Sequence, residues 1–383
     1  MVGVFRLGAG RGSDVANGGV ITDAVSSQKW PGDAKVHVSI VNWVKDPETT
    51  PMLFELDGAS VKGISASLRA DDGTDWQPAT IAVNRGHCFQ GPIPVGAGFV
   101  IPADVASSLL ADDTCSYREV VRPYLTSDDI AESPLQSPSR WIIDFGSMAL
   151  EDAARYPRAL DIVRREVKPE REGNRDPGFR AKWWQFGRPR GEMRVALAGR
   201  GRYAAVGAHG KRMLIAWQEP WTLASNANMV FAFDDDYSMG ILLSRAHDAW
   251  AWAQSSTLKG DLRYTPTTAF MTFPWPDPVT REQREAIAAA SRALYDRRSE
   301  LCIEHSMGLT KLYNLMNEGG FADLAALHRR LDEAVAAAYG WPRSVAQDPE
   351  QIVSRLTALN REIVDGGRAY DPFAAPMPTE RES

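Results

Sequence analysis

Hydrophobic and polar residues alternate along this chain in patterns that change three times, and each pattern predicts its own kind of element. From 36 to 44, VHVSIVNWV is β-branched and nearly all apolar. That predicts a strand covered on both faces, as in an α/β sheet. Asp46 to Pro51 is a polar exit. From 52 to 150, short apolar runs such as WIIDF at 141–145 alternate with Gly and Pro turn signals. This reads as mixed β with irregular loops. Residues 151–172 read as helical, and RYAAVG, RMLIAW and MVFAFDD within 183–235 read as strands. In SMGILLSRAHDAWAWAQ, 238–254, Met239, Leu242, Leu243, Ala246, Trp250 and Ala253 recur on one helical face, predicting a single helix with His247 in a structural role.

After Thr280 the period is helical throughout. Thr280 and Gln283 form a capping-box pattern that opens a helix through about Ile303. Further helices are expected over 308–317, over 321–339 ending at Gly340, and from Asp348-Pro349 with Ile352, Leu356, Leu359 and Ile363 on one face. The Pro-rich, charged stretch 366–383 is expected to be disordered.

Composition narrows the class. The 383 residues, 44% hydrophobic and 24% charged, suffice for two or three domains with cores of their own. No apolar run approaches the roughly 20 residues of a membrane span. Three widely spaced cysteines form no metal spacing and fit a reducing, cytoplasmic setting. The net charge of −6 disfavours nucleic acid as a partner, but its distribution does not. Between Asp161 and Arg212, 14 Lys/Arg face six Asp/Glu, a balance of +8 that leaves −14 for the remainder. Such a basic island could form a phosphate-contacting face.

Four stretches could carry chemistry. FRLGAGRGSD, 5–14, has glycines at 8, 10 and 12, which suggests a nucleotide or S-adenosylmethionine cradle. Val2, Val4 and Phe5 make a poor entering strand, however, and DVANGG cannot continue as a helix, so the stretch reads as a connector. DDDYSMG, 234–240, could hold a divalent cation, but adjacent carboxylates diverge and Asp suits a helix start. KWWQFGRPR, 182–190, suits phosphate contact and base stacking, or equally a strand with Trp183 or Trp184 in the core. GRGRYAAVGAHGKRM, 199–213, looks like a hairpin whose Arg, Lys and His could enter a DNA groove or simply be solvated. No HExxH, GxSxG, paired cysteines or Pro-Pro dipeptide occurs, so no catalytic residue is assigned.

Longer runs carry a resemblance. ITDAVSSQKWPGDAKVHVSIVNWVK, 21–45, resembles the last part of the methyltransferase domain in single-chain type IIL restriction-modification enzymes. FAFDDDYSMGILLSRAHDAWAWAQSSTLKGDLRYTPTTAFMTFPWPDP, 231–278, resembles the end of their target recognition domain. RWIIDF at 140–145, Trp183-Trp184 and LDEAVAAAYGW at 331–341 are similar to the same family.

The resemblance implies an α+β chain: a remnant of an α/β methyltransferase sheet over 1–50, a mixed α/β DNA target recognition domain over 51–278, a helical segment over 279–365 and a tail. In that family the nuclease, the S-adenosylmethionine loop and the catalytic loop precede the point where this sequence starts. The implied function is sequence-specific recognition of double-stranded DNA for an N6-adenine methyltransferase of a restriction-modification or phage-defence system. S-adenosylmethionine would serve the complete enzyme rather than this chain, and a separate catalytic chain is a candidate partner. Lys182, Trp183, Trp184, Arg188, Arg190, Arg200, Arg202, His209, Lys211 and Arg212 are the expected DNA-binding residues. Two alternatives stay open: a self-sufficient S-adenosylmethionine enzyme, and a truncated fragment or protein-interaction subunit in which the 36–44 strand exposes an edge.

Overall fold

The computed structural model describes residues 2–6, 20–29, 37–45, 53–64, 68, 77–258 and 260–374. The chain separates into two compact units, one formed by 1–78 with 256–263 and the other by 79–255 with 264–383. The division falls at residue 78, where the sequence suggested 50. The helices after 280 share a unit with the strands before them.

The first unit holds a five-stranded sheet of β1 (Val2–Arg6), β2 (Val20–Lys29), β3 (His37–Val44), β4 (Phe54–Leu56) and β5 (Ala59–Val61), in the order β1-β3-β2-β4-β5. Every described side chain from Val38 to Val44 is buried or half-buried, as the apolar run predicts. The pairing differs from expectation. β3 is antiparallel to both neighbours, and only β2 with β4 is parallel. β3 is therefore interior, so the expected exposed edge belongs to other strands. Val2–Arg6 is a strand after all, with Val4 opposite Ile40. Its short pattern is weak alone, but pairing along β3 supplies the partner that decides it. Ile21, Ala24, Val41, Ile64 and Leu68 form the core of this unit. The glycines at 8, 10 and 12 lie outside the described residues.

The second unit contains two four-stranded sheets, and His209–Gly210 adds a short strand outside both. One contains β6 (Cys88–Gln90), β10 (Tyr203–Gly207), β11 (Ile215–Gln218) and β13 (Asn228–Phe231), after β7 (Val100–Ile101), β8 (Val121–Leu125), β9 (Arg140–Ile143) and β12 (Leu223–Ala224) of the other are numbered. The first runs β11-β10-β13-β6, antiparallel throughout; the second runs β12-β8-β9-β7. β10 and β11 form the expected hairpin, with Val206 opposite Ile215.

Helices cover these sheets: α1 (Ala103–Leu110), α2 (Ser127–Glu132), α3 (Leu150–Ala153), α4 (Pro157–Glu166), α5 (Lys168–Glu172), α6 (Pro177–Ala181) and α7 (Gly191–Leu197), then α8 (Asp236–Leu243) and α9 (Arg245–Gln254). The single helix expected over 238–254 is thus two. At Ser244 ψ is 158°, and the Arg245 N–H donates to Asp332 (2.8 Å) instead of continuing the ladder. A carboxylate nearly 90 residues away satisfies that amide, which no local pattern announces. His247 is buried, with Nδ1 3.0 Å from the Leu242 carbonyl and Nε2 3.0 Å from the Tyr264 hydroxyl.

The last helices match their sequence signals closely: α10 (Arg281–Glu304) with its capping box, α11 (Leu309–Asn317), α12 (Ala322–Ala338) and α13 (Pro349–Val364) capped by Asp348. Gly240 lets α8 lie close to α10, since a Cβ there would meet Ile287 Cγ2 at 2.7 Å. Residues 366–374 are docked rather than disordered. Phe373 packs on His87, Phe233 and Trp275, and the Tyr370 hydroxyl donates to the Trp275 carbonyl at 3.1 Å. Aromatic contacts override the polar, Pro-rich composition of that stretch.

Candidate nucleic-acid interface

Strand register sorts the expected DNA-binding residues onto two ends of one sheet. Gly207 is opposite Asn228, and Met229 is opposite Gln90. The segment following Gly207, in which His209–Gly210 form a short strand and Lys211 and Arg212 a bend, therefore leaves this sheet at the end where β6 finishes. Arg190 reaches that end too, donating to Gln90 Oε1 at 2.8 Å, while Gln90 Nε2 donates to the Asn226 carbonyl at 2.9 Å. Arg188 is fixed there by a pair of backbone bonds with Ile93, each 3.0 Å. Arg190 holds a left-handed φ of +57° ahead of α7. Burial, and then the charge of Arg188, lower its proton affinity. Two guanidiniums crowd this end, and an anion would relieve that repulsion.

The opposite end is closed. Arg200 and Arg202 precede β10, and Asp234 to Asp236 follow β13. Arg200 Nη1 pairs with Asp234 at 2.9 Å, and its Nε donates to the Ala196 carbonyl at 2.9 Å. Arg202 pairs with Asp236 at 2.6 Å, donates from Nε to the Asp234 carbonyl at 3.0 Å and lies 3.9 Å over the Trp217 ring. Arg292 adds a second cation on Asp236 at 3.0 Å. Asp235 caps α8, accepting from the Ser238 amide and hydroxyl at 2.8 Å each. The three adjacent carboxylates thus face three different sets of partners, in line with the capping reading of DDDYSMG.

KWWQFGRPR is not a strand; it follows α6 in turns. Trp183 and Trp184 are 8% and 9% exposed. Trp184 Nε1 donates to the Met148 carbonyl at 2.9 Å, and Arg164 and Lys168 lie 5.8 and 5.7 Å from the Trp183 ring centre. Both rings are core, so neither offers a stacking platform. Other members of the basic island are internal as well. Arg171 is buried and donates to the carbonyls of Val95, Pro94 and Gln185, and Arg194 pairs with buried Asp144 at 2.8 Å. Arg212 donates to Asn314 Oδ1 at 2.8 Å.

Four expected residues remain. Lys182, Arg188, His209 and Lys211 are exposed, and among the described residues no ion pair or side-chain hydrogen bond engages them. Gln90, which holds Arg190 in place, was not among the expected residues. Its partner is 100 positions away, and nothing in its local sequence marks it.

Residues 90–277 match the model of the MmeI target recognition domain, just under half of the chain. A curated relative, DNA methyltransferase A of Bacillus subtilis (strain 168), is 35% identical over 144 residues, 38% of this chain and 15% of the relative. A solved structure of the type IIL restriction-modification enzyme MmeI in complex with DNA superposes with a TM-score of 0.73, covering 92% of this chain and 47% of that one at 18% identity. The chain thus spans about half of that structure and a smaller share of the curated relative. Over residues 90–277, this chain thus resembles the MmeI target recognition domain.

Proposed function

We propose that the second unit reads base sequence in duplex DNA as the recognition portion of a DNA methyltransferase of the restriction-modification type. The observation that carries the proposal is the open end of its four-stranded sheet. Arg188, on backbone bonded to Ile93, and His209 and Lys211 are exposed there, and among the described residues no ion pair or side-chain hydrogen bond engages them. The Arg188 and Lys211 cations gain most from phosphate, and an Arg or His there can also address the guanine edge in the major groove. Arg190 and Arg212, half-committed to Gln90 and Asn314, supply further charge beside them. The match of residues 90–277 to the MmeI target recognition domain and the DNA-bound state of the MmeI structure support this reading.

The wider role follows as part of the proposal. The methylated base is adenine at N6, the methyl donor of the whole enzyme is S-adenosylmethionine, the catalytic groups come from outside the described residues, and the setting is the cytoplasm, consistent with three free cysteines.

The test is selection from a pool of randomised DNA duplexes followed by sequencing of the bound fraction. The full chain is expected to enrich one motif, with affinity falling as salt rises. Absence of salt-dependent binding, alone and with an upstream catalytic chain, would overturn the proposal.

A further inference from the structure

The hairpin that carries His209, Lys211 and Arg212 has an open side. β11 is the last strand of its sheet, paired only with β10. An edge strand directs every second residue's backbone groups away from its partner. On β11 those outward groups include the Ile215 carbonyl and the Trp217 N–H, two residues apart. No strand among the described residues meets them. Helix α10 does, with two side chains one turn apart. Arg298 Nη2 donates to the Ile215 carbonyl at 2.8 Å, and the Tyr295 hydroxyl accepts from the Trp217 N–H at 2.9 Å. A third tie, Arg212 to Asn314 of α11, lies at the tip.

Arg298 is the unusual member. It is fully buried, no carboxylate among the described residues pairs with it, and the Tyr295 ring lies 4.5 Å from its guanidinium carbon. Among the described residues its Nε and Nη1 lack a well-formed hydrogen bond, and the Tyr313 hydroxyl is the polar group that interacts with the guanidinium. A buried cation without a counter-charge is costly to hold. An apolar side chain would fill the same space more cheaply but could not donate to Ile215.

We infer that Arg298 and Tyr295 are positioning residues for DNA discrimination, standing in for a missing fifth strand so that α10 fixes the angle at which the hairpin tip is presented. This rests on the proposed DNA reading. Base recognition tolerates little misplacement, whereas phosphate attraction is diffuse. Loosening the clasp should therefore erode discrimination without changing bulk DNA affinity or its salt dependence.

The test compares the full-length chain with Arg298→Met, Arg298→Lys and Tyr295→Phe. Two measurements are made: backbone hydrogen exchange over 208–218, and binding of the duplex enriched from a randomised pool against an unrelated duplex. Arg298→Met and Tyr295→Phe should quicken exchange in the hairpin. They should also lower the preference for the enriched duplex about five- to tenfold, the equivalent of one net hydrogen bond. Arg298→Lys, which can still donate to Ile215, should recover part of both. If Arg298→Met does not fold, Tyr295→Phe, at a half-buried site, carries the test. Unchanged hairpin exchange overturns the inference, as does faster exchange with discrimination intact. A wild-type chain that enriches no motif sinks the DNA reading instead, and the exchange measurement still decides whether the clasp holds the hairpin.

Discussion

Replacing Arg188 and Lys211 together by Gln should flatten the salt dependence of DNA binding while leaving the fold intact. Each phosphate contact contributes about 0.9 to the slope of log affinity against log salt. Removing two lowers the slope by about 1.8, so a fourfold rise in salt should cost the variant about twelvefold less affinity than it costs the wild type. Both side chains are exposed and bond to nothing among the described residues, so unfolding free energy should move by no more than about 0.5 kcal/mol. Arg202→Ala supplies the contrast. It removes a 2.6 Å ion pair to Asp236 and a guanidinium 3.9 Å over Trp217. With the Arg202 side chain about a third exposed, these interactions together stabilise by roughly 1–2 kcal/mol. Stability should fall by that amount while the salt slope stays at the wild-type value. Fluorescence anisotropy of a labelled duplex across a potassium chloride series, with urea unfolding of each variant, measures both quantities. A slope that responds to Arg202 and ignores Arg188 and Lys211 would refute the assignment of the two sheet ends.

Two further outcomes are expected. Burial holds the His247 pKa down to about 4, so the unfolded chain takes up a proton first, near pH 6.5. The stability from its neutral ring is complete above that pH and drains as pH falls toward 4. Asp332, pushed up to about 6 by burial, works in the opposite sense, losing its contribution as pH rises through 6. His247→Gln keeps a donor for Leu242 and an acceptor for Tyr264, so urea unfolding should show the variant gaining on wild type as pH falls from 6.5 to 4. A difference that does not vary with pH would contradict this. Gly240→Ala drives a Cβ to 2.7 Å from Ile287 and 3.1 Å from Ser291, and thermal unfolding should show a loss of about 1–3 kcal/mol. An unchanged midpoint would mean that α8 and α10 part without cost.

Where structure followed local chemistry, the sequence was legible. Thr280 with Gln283, Asp348 with Pro349, and Gly340 at a φ of +71° mark helix ends because capping is settled within four residues. The hairpin of 199–213 was legible for the same reason. What stayed hidden depends on distant partners. Ser244 ends a helix because Asp332 takes the next amide. The stretch 366–374 is ordered because Phe373 meets rings from three remote segments. The basic island suffered most. Composition counted its cations correctly but could not tell Arg200 and Arg202, neutralised by carboxylates more than 30 residues later, from Arg188 and Lys211, which are not. Charge is visible in a sequence; whether it is already spent inside the fold is not.

The division of the sheet into a locked end and an open end also bears on how such a domain can change over generations. Substituting Arg202 or Asp236 disturbs a shared knot of charges, so drift there is checked by folding itself. The side chains of Arg188, His209 and Lys211 bond to nothing among the described residues, so mutation can sample new side chains at those positions with little loss of stability. Mutational tolerance is thereby concentrated on the surface proposed to meet DNA, and a lineage could acquire a new target while inheriting the same scaffold.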